Sequence, residues 1–110
     1  MSKYHSKKAV VGSITFDSVK EANRYCELKM LERAGKIKDL ELQHQFVLQP
    51  PFWKNGKTIR AITYVADFTY YDLERMRIVV EDVKGYKTEV YSLKKKMFEF
   101  TYPDLTIIEV

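Results

Sequence analysis

The chain is poor in the residues that usually announce a metal or redox site. It has one cysteine, Cys26, and two histidines, His5 and His44, in 110 residues. A lone thiol excludes an internal disulfide and a cysteine-rich zinc site. The histidines are too isolated to suggest a histidine-based centre. No run of about 18 apolar residues occurs, so no segment is expected to span a membrane. The start, MSKYHSKKAVVGSITF, is basic but lacks the apolar stretch of a signal peptide. Repeats, low-complexity tracts and linkers are also missing. The expectation is a single cytoplasmic domain.

What is present points to a packed core. Apolar residues make up 45% of the chain, with eight Tyr, six Phe and one Trp, which argues against disorder. The net charge of +4 is mild, but its distribution is uneven. Residues 1 to 10 carry Lys3, Lys7 and Lys8 and no acid, and residues 84 to 96 carry five lysines against Glu89. Between them, Asp67 to Asp82 holds five acids against Arg75 and Arg77. An acidic centre with basic ends suits a site that collects cations and binds a polyanion around them. Ordinary scatter over a solvated surface accounts for the same counts.

Residues 1–12 read as a flexible basic arm and 13–110 as one domain. Ser18 can cap a helix, with Glu21 three residues on as in a capping box, and Gly35 stops that helix after Ala34. Val19, Ala22, Cys26 and Met30 form one apolar stripe, which places Cys26 in the core; Glu21, Tyr25 and Leu28 form a second side. Leu40, Leu42, Phe46 and Leu48 alternate as in a strand that Pro50 and Pro51 interrupt. Asn55-Gly56 suits a type I′ hairpin turn. A long strand from Thr58 to about Asp72 follows, then a turn and a strand through RIVVEDVK. Thr88 caps a second helix that Pro103 ends, with Val90, Leu93, Met97 and Phe100 on one stripe. LTIIEV closes the chain as a strand. The order (β)-α-β-β-β-α-β predicts an α/β or α+β layered fold.

If Leu73 and Met76 flank a two-residue turn, Asp67 lies directly opposite Asp82, with β-carbons about 5 Å apart. Alternation puts Asp82 and Lys84 on one face and turns Glu81 to the other. Opposed carboxylates repel, so either one is protonated or a cation lies between them. Mg²⁺ takes oxygen ligands and keeps several waters, so one or two carboxylates suffice. A lysine two residues on can then hold or deprotonate a water. Such a set suits phosphodiester hydrolysis. A purely structural account makes the acids rim carboxylates and Lys84 a snorkelling side chain.

An Asp near one strand end, then [Asp/Glu]-x-Lys on the neighbouring strand, with a helical Glu upstream, resembles the PD-(D/E)XK nuclease superfamily. Here these are Asp67, Asp82-Val83-Lys84, and Glu21 in FDSVKEANRY. The wider pattern YVADFTYYD, VVEDVKG and TEVYSLKKKMFEF is similar to a small family of phage and prophage proteins placed in that superfamily. The resemblance implies a restriction-endonuclease-like core, a mixed sheet of about four strands flanked by helices, and cleavage of DNA dependent on Mg²⁺ or Mn²⁺. It implies that Asp67, Asp82 and the Val83 carbonyl ligate the metal, that Lys84 positions the water, and that Glu21 binds a second metal or orients a water. Ala66 stands where the motif's name has proline.

Other residues carry weaker signals. Glu21 can equally be a helix cap. His44 would pair with Asp67 if the Asn55-Gly56 hairpin kept perfect register, and Gln43 and Gln45 are its neighbours. Lys87, Lys94, Lys7 and Lys8 are candidate phosphate contacts, as is Lys3. Trp53, Tyr64, Tyr70 and Tyr71 read mainly as packing, with one or two able to stack on unpaired bases. The expectation is a small DNA endonuclease of phage replication, recombination or packaging intermediates. It would act in the host cytoplasm, as a homodimer or with a larger phage partner. The rival expectation is a non-catalytic module that binds nucleic acid or protein on the same fold.

Overall fold

The computed structural model describes residues 7–85 and 87–110. A hairpin of β1 (Ala9–Val11) and β2 (Ile14–Phe16) leads into helix α1 (Val19–Arg33). Strand β3 (Ile37–Gln49) is followed by the short hairpin β4 (Phe52–Lys54) and β5 (Lys57–Ile59). Then come β6 (Ile62–Asp72), β7 (Arg77–Asp82), helix α2 (Glu89–Thr101) and β8 (Ile107–Glu109). The central sheet has the order β3-β6-β7-β8. Its first two pairings are antiparallel, and β7–β8 is parallel because α2 supplies the crossover. The mixed four-stranded sheet with two helices is the α+β architecture expected. Among the described residues no helix is long and apolar enough to cross a membrane.

The helix ends follow from local chemistry. Ser18 Oγ accepts the Glu21 amide at 3.0 Å, Thr88 Oγ1 accepts the Tyr91 amide at 3.0 Å, and Gly35 takes a φ of 74° just past α1. Asn55 and Gly56 have φ of 51° and 74°, the pair of positive angles a type I′ turn needs. Two boundaries differ from expectation. Ala9–Val11 pair with β2, so the basic arm does not extend to residue 12. The long strand from Thr58 breaks at Arg60-Ala61, so the Asn55-Gly56 hairpin is a two-stranded unit outside the main sheet. Lys3 and His5 lie outside the described residues.

Each face of the sheet carries its own core. Phe68, Tyr70, Val79 and Ile37 pack with Ala22 and Leu28 of α1 and Phe16 of β2. Tyr64, Ala66, Leu48, Val80 and Ile107 pack with Tyr91 and Phe98 of α2. Strict alternation would put Tyr64, Ala66, Phe68 and Tyr70 on one face. They divide instead between the two cores, so β6 changes face between Ala66 and Phe68, at Asp67. Strand β3 does the same: Leu40 and Leu42 go with α1, and Phe46 with α2. Gln43, between them, has a φ of 56°.

Helix α2 buries a stripe other than the one expected, and of the two sides of α1 expected to be covered, the one with Glu21 and Leu28 is buried while the other keeps only Ala22 inside. In α1, Glu21, Ala22 and Leu28 are buried, while Val19, Cys26 and Met30 are exposed. In α2, Tyr91 and Phe98 are buried, while Val90 and Leu93 are exposed and Phe100 is 88% exposed. The cause is amphipathic side chains with polar tips that find partners inside. Tyr91 donates its hydroxyl to Glu109 Oε2 at 2.7 Å, and Tyr102 donates to the Val47 carbonyl at 2.8 Å. Cys26 is therefore no core residue.

The β6–β7 pairing runs from Asp72↔Arg77 to Phe68↔Glu81 without a slip. Residues 73–76 form the turn, longer than the two residues expected yet symmetric, so the expected register survives. Glu81 and Asp82 consequently diverge. Glu81, 1% exposed, turns to the α1 face and takes a two-pronged ion pair from Arg24, Nε to Oε1 at 2.7 Å and Nη2 to Oε2 at 2.6 Å. The Tyr70 hydroxyl donates to the same carboxylate. Removing one partner of a buried pair strands the other charge. Glu81→Ala is expected to lower unfolding stability by about 3 kcal/mol or more in urea titration. A loss under about 1 kcal/mol would show that the pair is effectively solvated.

Candidate active site

The site forms where β7 ends. Asp82 is 3% exposed and both of its oxygens are engaged. Tyr64 donates its hydroxyl to Oδ2 at 2.5 Å, and Lys84 Nζ lies 3.0 Å from Oδ1. Lys84 is held from a second side, its Nζ 3.9 Å from the centre of the Tyr91 ring, a cation–π contact. Its amide donates to the Val110 carbonyl at 3.3 Å, which extends the parallel β7–β8 pairing past Asp82. Asp67 reaches across from β6, and its Oδ2 accepts the Val83 amide at 2.8 Å. That contact sets the Asp67 carboxylate beside the residue that follows Asp82 on β7. Burial, opposed by the Val83 amide, and then the Asp82 charge hold the Asp67 carboxyl well above the usual carboxylate range.

Helix α1 supplies the third acid. Glu21 is 8% exposed, and burial followed by the charges of Asp67, Asp17 and Asp82 raises its carboxyl from 4.5 to about 7. Lys84 partly offsets that rise. The helix is capped through the Glu21 amide, which leaves the side chain to face the acids. Beside it, Lys20 Nζ donates to the Lys84 carbonyl at 3.2 Å and places a second ammonium at the site's rim. Glu21 also lines a pocket of about 110 Å³ with Asp17, Thr15, Leu42 and Gln43.

The β3 partner of Asp67 is Gln43. Its amide donates to Asp67 Oδ1 at 3.3 Å. A register shift between Val47 and Gln49 moves β3 by one residue relative to β6, so His44 pairs with Ala66 instead. His44 bonds Glu41 at 2.6 Å and sets its ring edge-on to Phe46. The perfect hairpin register that would have brought His44 to Asp67 is thus corrected by a bulge. Among the proposed phosphate contacts, Lys87 pairs with Glu109 at 2.8 Å and Lys8 with Asp17 at 3.8 Å. Lys7 is exposed and Lys94 half-buried. Tyr64 and Lys20 are members of the site that sequence reasoning missed. Lys20 carries the one available signal, since it precedes Glu21 in the same first helical turn.

The residues fit a hydrated, hard cation better than a closed cage. Among the described residues no three His, Cys, Asp or Glu side chains converge as a ready-made metal group. Asp67 and Asp82 nevertheless come together at the strand end, and their charges help to raise the Glu21 carboxyl beside them. Each bonded oxygen retains a further lone pair for a ligand. Two carboxylates are sufficient for Mg²⁺, which keeps most of its waters.

The chain belongs to the family described as "Protein of unknown function (DUF1064)", whose model matches residues 1–110. Among curated proteins and solved structures, none matches it.

The raised carboxyls have a consequence for stability. A carboxyl that holds its proton more tightly in the folded chain ionises first in the unfolded one. Stability falls as pH rises from 4.5 to about 7 and stays lower above that. Glu21→Gln removes this slope. The variant is expected to match wild type near pH 4 and to exceed it at pH 8 by on the order of 1–2 kcal/mol in metal-free buffer. Mg²⁺ should narrow the gap at pH 8. Parallel stability curves for the two proteins across that range would show that Glu21 is not electrostatically strained.

Proposed function

We propose that the protein is a metal-dependent deoxyribonuclease that hydrolyses phosphodiester bonds, with a core of the PD-(D/E)XK type. The observation that carries this reading is the meeting of Asp67 and Asp82 at one strand end with the Lys84 ammonium 3.0 Å from Asp82. Asp67 and Asp82 would hold a divalent ion, Mg²⁺ or Mn²⁺, with the Val83 carbonyl and Glu21 as further oxygen donors. The ion would supply Lewis-acid polarisation of a phosphate oxygen.

The chain's own groups account for the rest. Tyr64 and the Val83 amide fix the two carboxylates by their outer oxygens. Fixed partners spare the reorganisation that a flexible site would need at the moment of reaction. Lys84 holds the attacking water and places positive charge beside the developing oxyanion, while the Tyr91 ring steadies its ammonium. Glu21 would bind a second ion or orient that water from its buried place on α1. Lys20 places a cation where a neighbouring phosphate would lie. Substrates would be DNA intermediates of phage replication, recombination or packaging, met in the host cytoplasm. A homodimer or a larger phage partner would extend the limited DNA-contacting surface.

The rival reading, a non-catalytic binding module, draws on Lys84 already neutralising Asp82 without an ion. Nicking of supercoiled DNA with Mg²⁺ separates the two. Wild type is expected to nick, and Lys84→Ala and Asp82→Asn are each expected to lose about a hundredfold or more. Mg²⁺ should raise the melting temperature of wild type and not of Asp82→Asn. DNA binding with neither nicking nor a Mg²⁺-dependent rise would identify the binding module.

A further inference from the structure

Every residue from Pro50 to Arg60 is exposed, although β4 and β5 form a regular antiparallel pair inside this segment. A lone two-stranded hairpin is marginal in water, so an unburied one is an unusual feature to carry. Its composition is one-sided. Between Glu41 and Asp67 the chain contains no acid, while Lys54, Lys57 and Arg60 are all cations of the hairpin. Lys54 and Lys57 are direct cross-strand partners beside the Asn55-Gly56 turn. Like charges so placed repel, and a bound anion would relieve them. Phe52 pairs with Ile59 and Trp53 with Thr58, and alternation turns Trp53 to the face opposite the lysines. Trp53 is 70% exposed.

We propose that the β4–β5 hairpin is a nucleic-acid-gripping arm, in which Lys54, Lys57 and Arg60 contact phosphates and Trp53 stacks on an unpaired base. The inference rests on the DNA reading above and deepens it, by assigning a substrate with unpaired bases such as a gap, flap or branch. Charge selects the occupant: an acid-free ribbon with paired lysines at its tip matches a polyanion and opposes a second copy of the same hairpin. Exposed aromatic side chains add base stacking, which tolerates any sequence. The arm is continuous with the site through β3 and β6. Nine residues separate Asp67 from Thr58, at most about 30 Å of extended strand. That is at most about nine base pairs between the gripped base and the carboxylates.

Trp53 is the chain's single tryptophan, so its emission reports the arm alone. The experiment titrates the Asp82→Asn protein with a gapped duplex and with an intact duplex of equal length, following Trp53 emission and, separately, anisotropy of labelled DNA. Quenching is expected with the gapped DNA and little with the duplex. Trp53→Ala should weaken binding to gapped DNA by about tenfold to a hundredfold, the loss of one stack. Lys54→Gln with Lys57→Gln should lower the salt slope of binding by about two. Since none of these side chains is buried, melting temperatures should not change, which excludes misfolding as the cause. Binding with unchanged Trp53 emission, or with equal affinity for both DNAs, overturns the arm and leaves the DNA reading standing. Emission that follows protein concentration and not DNA overturns the arm in favour of self-association. Absence of all DNA binding, together with no melting response of the wild-type protein to Mg²⁺, overturns both.

Discussion

The antiparallel register of β6 on β7 is the constraint on which the site depends. It brings Asp67 to the Val83 amide and beside Asp82, and alternation on β7 sends Glu81 to the other face. Two adjacent acids thereby enter two unlike environments. Glu81 is matched by the planar fork of Arg24 and by Tyr70, and it ties α1 to the sheet. Asp82 receives a hydroxyl and an ammonium at an open strand tip. A slip of one residue would turn Glu81 away from Arg24 and carry Asp82 and Lys84 together to the α1 face, away from Tyr64. The paired charge of Arg24 and Glu81 is therefore a register device as well as a tether, a use of buried ion pairs with physical precedent.

The face change in β6 and β3 gives the site its second property. Without it, Tyr64 would lie on the side of Phe68 and Tyr70 and could not reach Asp82. With it, one strand feeds both cores and presents Asp67 at the crossing point. The backbone shows the cost at Gln43, whose φ of 56° is uncommon for a residue with a β-carbon. The same residue donates to Asp67 across the strand pair, so the uncommon conformation sits against the acid it supports.

Sequence signals were legible where the physics is local. Ser18 and Thr88 caps, Gly35 and the Asn55-Gly56 turn each depend on a few neighbouring residues, and each appears as expected. The choice of Asp82 over Glu81 was legible too, because alternation over two residues leaves little room for error. The helix faces were not. Val19, Cys26, Met30, Val90, Leu93 and Phe100 outrank the true inner face in hydropathy, yet the inner faces use Tyr91 and Arg24, whose polar ends are satisfied in place, and Glu21, which is buried beside other acids. Tyr64 was hidden for a similar reason, since a strand that changes face defeats a period of two. His44 was displaced by Gln43 through one bulge near Pro50, where the Pro50-Pro51 pair had already marked the register as interrupted.

On the nuclease reading, the site's own charge poses a difficulty that the hairpin cannot solve from where it stands. Glu21, Asp67, Asp82 and the nearby Asp17 outnumber Lys20 and Lys84, so DNA phosphates approach an unfavourable local field. The hairpin cations lie on a separate two-stranded unit, and no described contact ties them to the carboxylates. They add affinity through contacts of their own. Groups with no shared partner contribute nearly additively. Grip and chemistry are then separable: salt would weaken the first without disturbing the second. Only a cation bound among the acids themselves can convert that pole from one that repels phosphate to one that holds it.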